Sequence, residues 1–226
     1  MANRKKKIIF TVFSVVILVV LTAYFFIPKM FADEVYPLKY TDLIVKYSTK
    51  YNIDPSLVAA VILQESRFNP KAQSGSGAQG LMQFMPGTAN TMAKETGRYP
   101  KYDIFDPETS IEFGAAHIHD LLVKYNGDVD QALAGYNAGT GTVDSWVRQN
   151  VFDRIINSNS KSETVTYVRK VKNYQTVYAQ MYGEELGLKR DASTELRAAP
   201  KEEEDARVRG FVWIQIFQNI FSSGQK

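Results

Sequence analysis

The chain has 226 residues, 27 Lys and Arg against 24 Asp and Glu for a net charge of +3, and no cysteine. That length suffices for one domain with a real core plus appended segments. Acids and bases are well mixed, so no basic stripe for nucleic acid stands out, and the missing cysteines exclude disulfides, thiolate metal sites and thiol nucleophiles.

Residues 1–7 carry Arg4, Lys5, Lys6 and Lys7, and residues 8–27 follow without a charge, broken only by Thr11, Ser14, Thr22 and Tyr24. About 20 apolar residues cross a bilayer as a helix, and basic residues ahead of them keep the N-terminus in the cytoplasm. The pattern predicts a single transmembrane signal-anchor helix over 8–27, with everything after Pro28 on the outer face of the membrane. A cleaved signal peptide is the rival. Its apolar core is usually about 7 to 15 residues long, and Met30-Phe31-Ala32 is a poor cleavage site. Residues 28–37 read as a linker.

The next segment, 38–50, has Leu38, Leu43, Ile44 and Tyr47 at helical spacing. Asp54-Pro55 is a side-chain cap followed by proline at the first helical position, opening a helix that proline 70 ends at Asn69. On that helix Leu57, Val58, Val61, Glu65 and Phe68 share one face. A carboxylate on an apolar stripe has its charged form disfavoured and its pKa raised, which suits a general acid. At this point the plainer reading stays open, in which Glu65 sits at the stripe's edge and reaches water or Arg67.

Residues 71–80 read as a loop. Pro86 starts a helix through Lys94 that Gly97 stops, and Asp106-Pro107 caps a longer one reaching Tyr125 before Asn126-Gly127. A short helix over 128–136, another over 143–149 and a long one over 163–182 complete the domain, the last with Tyr167, Val168, Val171, Tyr174 and Tyr178 on a stripe. No period-2 alternation is visible, so the domain, 38–188, is expected to be all-α. Residues 189–210 are charged and poor in apolar residues, as a solvated linker or an isolated charged helix would be. Residues 211–226 form an amphipathic segment whose Trp213, Ile214, Phe217, Ile220 and Phe221 share a face, for which the domain, a membrane surface or another protein would serve as partner.

Several separated motifs carry a resemblance: Glu65-Ser66-Arg67-Phe68-Asn69-Pro70, Gly80-Leu81-Met82-Gln83-Phe84-Met85-Pro86, Gly135-Tyr136-Asn137-Ala138-Gly139 and Glu163-Thr164-Val165-Thr166-Tyr167-Val168. Together, over roughly residues 40–182, the chain resembles the catalytic domain of soluble-type lytic transglycosylases. The resemblance implies a lysozyme-like fold and an enzyme acting on peptidoglycan glycan strands, which the anchor expected from residues 8–27 would hold at the outer face of the bacterial cytoplasmic membrane. It would cut the β-1,4 bond between N-acetylmuramic acid and N-acetylglucosamine and leave 1,6-anhydromuramic ends.

By that resemblance Glu65 is acid and then base, and Ser74, Met82, Gln83, Tyr136, Asn137 and Tyr167 contact the glycan. Gly135 and Thr140 stand where the family more often has alanine and proline. Tyr167, on an apolar stripe, reads equally as core. Glycosidases usually employ two carboxylates, and around the motifs only Glu65 stands out, which fits a lyase whose nucleophile is the sugar's own C6 hydroxyl. A goose-type-lysozyme-like hydrolase and a silent glycan-binding scaffold are the competing functions.

No cofactor, metal or nucleic acid is expected. Gly75-Ser76-Gly77-Ala78-Gln79-Gly80 matches a dinucleotide fingerprint but follows a helix instead of a strand, and His117 and His119 stand two apart, pointing to different faces of a helix.

Overall fold

The computed structural model describes residues 2–188 and 210, with side chains in the first helix described for 10–24 and 34–35. Apart from Gly210, the charged segment 189–210 and the amphipathic segment 211–226 lie outside the described residues. The chain divides into two units, one of which is Leu38–Asp191 and holds every element after the first helix.

That first helix, α1, spans Ala2–Val35. It runs on through Pro28, so most of the expected linker 28–37 is helical. Among the described residues no helix is long and apolar enough to cross a membrane. The transmembrane segment expected at 8–27 is therefore not supported here.

In the second unit α2 (Thr41–Lys50), α3 (Pro55–Ser66), α4 (Pro86–Glu95), α5 (Pro107–Lys124), α6 (Val129–Ala138), α7 (Thr140–Arg148), α8 (Phe152–Ile156) and α9 (Glu163–Tyr182) follow one another. No strand occurs among the described residues; two isolated bridges, Gln73 to Gln79 and Gln79 to Phe84, tie the loop between α3 and α4. The unit is thus all-α, as the patterning predicts.

Several of its helices start at side-chain caps. Asp54 accepts from the backbone N–H of Ser56 at 2.8 Å, Asp106 from Thr109 and Asp128 from Gln131 each at 3.0 Å. Each such bond satisfies a donor that the first turn otherwise leaves without a partner.

The core is built around α3, which packs against α2, α5 and α9. Here the structure corrects the predicted amphipathic stripe. Leu57 through Leu63 are all buried, at 3% exposure or less, so α3 is covered on every side instead of one. A helix apolar all round belongs in the interior, and burying each Leu, Val or Ile contributes about 1.5–3 kcal/mol.

Phe68 is not on this helix. The chain leaves α3 at Ser66 through two left-handed residues, Arg67 with φ 51° and Phe68 with φ 60°. Such backbone costs roughly 1–2 kcal/mol per non-glycine residue, offset here by the Phe68 ring, 1% exposed against Tyr178. A buried carboxylate fastens α2 to α5: Glu112 is 4% exposed and accepts from Lys50 at 2.6 Å and from Arg98.

Candidate active site

Because α3 is buried along its length, its last turn is where a side chain first meets the surface. Gln64, Glu65 and Ser66 are half-buried there. Opposite lies α9, opened by Ser162, whose hydroxyl accepts from the N–H of Val165 at 3.4 Å. Glu163, Tyr167, Val171 and Tyr178 recur at helical spacing on one face of α9. Tyr167 is 5% exposed, and its hydroxyl donates to Glu65 Oε1 at 2.6 Å. Its ring is part of the core, while its polar end reaches the Glu65 carboxyl.

Burial is the main influence on Glu65 and raises its pKa from 4.5 to about 7; the Tyr167 hydrogen bond opposes this, and the Glu163 charge adds to it. Near neutral pH the carboxyl is then divided between its two forms, as proton transfer in both directions requires. Tyr136, on α6, donates its hydroxyl to the Met82 carbonyl at 2.8 Å. Burial and then the Glu65 charge push its phenol well above the usual 10, and burial, Glu65, Tyr136 and the bond to Glu65 do the same for Tyr167. Both phenols are therefore fixed as protonated donors around one carboxyl.

The loop between α3 and α4 forms the next wall. Gly80 has φ 79°, and a Cβ there would come 2.3 Å from the Ile104 carbonyl oxygen, so no larger residue fits. Gln83 is also left-handed at φ 51°, and its side-chain amide donates to the carbonyls of Ala72 at 3.2 Å and Gly80 at 3.0 Å. The Met82 side chain is fully buried, and its backbone gives its N–H to Ser110 Oγ at 3.3 Å. Ser74 Oγ accepts from the N–H of Ala78 at 3.0 Å, closing a turn. Asn137 is half-buried beside Tyr136.

A cleft of about 260 Å³ opens beside this wall, lined by Gln83, Phe84, Met85, His117, Tyr136 and Thr140 among others. The structure thus gathers Glu65, Tyr136 and Tyr167 at one point and brings Gln83 to the adjoining cleft. Met82 supports the wall from behind through Tyr136, and Ser74 holds the loop's turn. A larger hollow of about 330 Å³, between α6, residues 156–159 and α9, is lined by none of the expected site residues.

Sequence reasoning missed two residues. Glu163 lies within a quoted motif, but only Glu65 stood out as an acid; the i to i+4 spacing of Glu163 and Tyr167 was the signal that the two share a face. His117 was weighed only as a metal ligand. It packs on Tyr136 with ring centroids 5.3 Å apart, whereas His119 lies near Tyr51.

The model of the transglycosylase SLT domain matches residues 42–159. The soluble lytic murein transglycosylase of Salmonella typhimurium is 34% identical over 173 residues, which are 73% of this chain and 27% of that protein. The membrane-bound lytic murein transglycosylase C of Serratia proteamaculans is 31% identical over 166 residues, 62% of this chain and 46% of that one. Among solved structures, an inactive variant of the lytic transglycosylase Slt from Pseudomonas aeruginosa superposes with a TM-score of 0.62 at 30% identity, covering 72% of this chain and 27% of that one. The family match spans more than half of the chain, and the chain belongs to the transglycosylase SLT domain family. It spans about a quarter of the length of the soluble relatives.

Proposed function

We propose that this chain is a peptidoglycan lytic transglycosylase, cleaving the β-1,4 bond between N-acetylmuramic acid and N-acetylglucosamine and closing a 1,6-anhydro ring on the muramic residue. The observation that carries the reading is Glu65, raised to about 7 by burial and held by Tyr167. In its neutral form Glu65 protonates the glycosidic oxygen, and the bond from that oxygen to C1 breaks. The positive charge left at C1 is stabilised by the sugar's 2-acetamido group or by polar atoms of the site. The carboxylate, stabilised by the Tyr167 hydroxyl, then removes the C6 hydroxyl proton as that oxygen attacks C1. Glu65 returns to its neutral form without consuming water.

In this reading Tyr136, Gln83 and Asn137 border the glycan, Met82 sets the wall through Tyr136, and Ser74 shapes the loop that meets the substrate; residues 38–188 are the catalytic domain. Glu65→Gln is expected to lower release of fragments from purified peptidoglycan to about a hundredth or less, since general acid–base catalysis is typically worth roughly 10² to 10⁴-fold. Retention of more than about a tenth of the activity would remove Glu65 from this role.

One observation favours a second reading. Glu163 acts electrostatically on Glu65, so a second carboxylate does stand near the site, and a hydrolase could employ it to orient a water. The names of the relatives favour the lyase.

We also propose that α1 anchors the enzyme to the outer face of the bacterial cytoplasmic membrane. Phe10, Phe13, Leu18 and Val19 are 60–72% exposed on that helix. An uncharged surface of that kind favours a lipid surround over water, and the basic residues before it set the orientation.

A further inference from the structure

Of the two histidines, His117 is placed for a purpose that the mechanism above does not use. It projects from α5 into the cleft beside Tyr136. Its ring is held by aromatic neighbours, Tyr136 at 5.3 Å and Phe84 at 6.1 Å between centroids. Among the described residues no hydrogen bond reaches either of its nitrogens. Polar atoms that are half-buried and lack a protein partner look to water or a ligand for one.

Burial, partly opposed by the charge of Asp120, holds the imidazole below its usual pKa, so it is neutral at pH 7. A neutral imidazole carries one donor and one acceptor. A sugar hydroxyl carries the same pair, so the two can exchange hydrogen bonds, whereas a carboxylate can only accept. Around His117 the cleft offers Met85, 46% exposed, as apolar surface for the C–H face of a pyranose, with Phe84 buried behind it. At about 260 Å³ the cleft is smaller than the roughly 300–1,000 Å³ of typical ligand sites, which suits a single sugar ring.

Resting on the glycan-cleaving function proposed above, we infer that His117 is a substrate-binding residue that hydrogen-bonds a hydroxyl of the sugar occupying the cleft beside Tyr136. A purely structural histidine would need only its ring faces, which phenylalanine also supplies.

The test is binding of an N-acetylglucosamine tetramer to the full chain carrying Glu65→Gln, which cannot cleave it, followed by calorimetric titration. Adding His117→Phe is expected to weaken binding about five- to tenfold, the loss of a typical hydrogen bond, while adding His117→Gln, which keeps a donor and an acceptor, stays within about twofold. Equal affinity with phenylalanine overturns the inference. A second measurement holds even if that variant folds poorly: the ring-nitrogen resonances of His117 in the Glu65→Gln protein must move when the tetramer saturates it, and unmoved resonances overturn the inference too. If the Glu65→Gln protein binds no tetramer at all, the glycan-cleaving reading falls first and the role of His117 with it.

Discussion

Replacing Glu65 with glutamine is expected to make the protein more stable at pH 8 than the native chain, relative to their difference at pH 4. The folded structure lifts this carboxyl from 4.5 to about 7. A folded state that binds a proton more tightly than the unfolded chain holds more protons between those two pH values, so stability falls as pH rises through that window and levels off above it. At about 1.4 kcal/mol per pH unit, the fall attributable to Glu65 is about 3 kcal/mol. Glutamine has the same shape and carries no charge into the site, so the variant escapes this loss. For a domain of this size about 3 kcal/mol corresponds to roughly 6–12 °C in melting temperature. Thermal melts of both proteins at intervals from pH 4 to pH 8 give the answer directly. The native curve must drop away from the variant's between about pH 4.5 and 7, the window set by the burial of this carboxyl. Curves that stay parallel would show that the carboxyl is not raised, and the general-acid argument would lose its physical basis.

Tyr167→Phe removes the one hydrogen bond that opposes the rise at Glu65. The stability loss just described should then extend to higher pH than in the native protein, and fragment release should fall because the carboxylate formed after the first proton transfer loses a donor; an unchanged melting profile above pH 7 would refute this. Protease added outside spheroplasts should digest the chain after Pro28 and leave a membrane-protected peptide that begins at Met1, whereas a mature protein starting near Asp33 would replace the anchor with a cleaved signal.

The helix starts could be read from sequence because side-chain caps act locally: Asp54, Asp106, Asp128 and the start of α9 fall where the patterns place them. The five-residue α8 was missed, having no capping side-chain bond and too few residues to show a period. The stripe on α3 misled because its small residues, Ala59 and Ala60, look neutral in a pattern while serving as close-packed core. Glu65 was found partly for an inexact reason. Its perturbed chemistry comes from standing at the end of a fully buried helix opposite Tyr167, a contact between residues 102 apart in sequence. Separations of that kind leave no local trace, which is also why the influence of Glu163 emerges only when α9 packs on α3, and the place of His117 in the cleft only when α5 meets α6.

Mass analysis of the sugar fragments released from purified peptidoglycan tests the central claim most directly. A lytic transglycosylase leaves 1,6-anhydromuramic ends, each lighter by one water than the corresponding reducing end, and these are expected to predominate in digests by this protein. Predominantly reducing ends would contradict the account and assign Glu65, with Glu163 beside it, to hydrolysis.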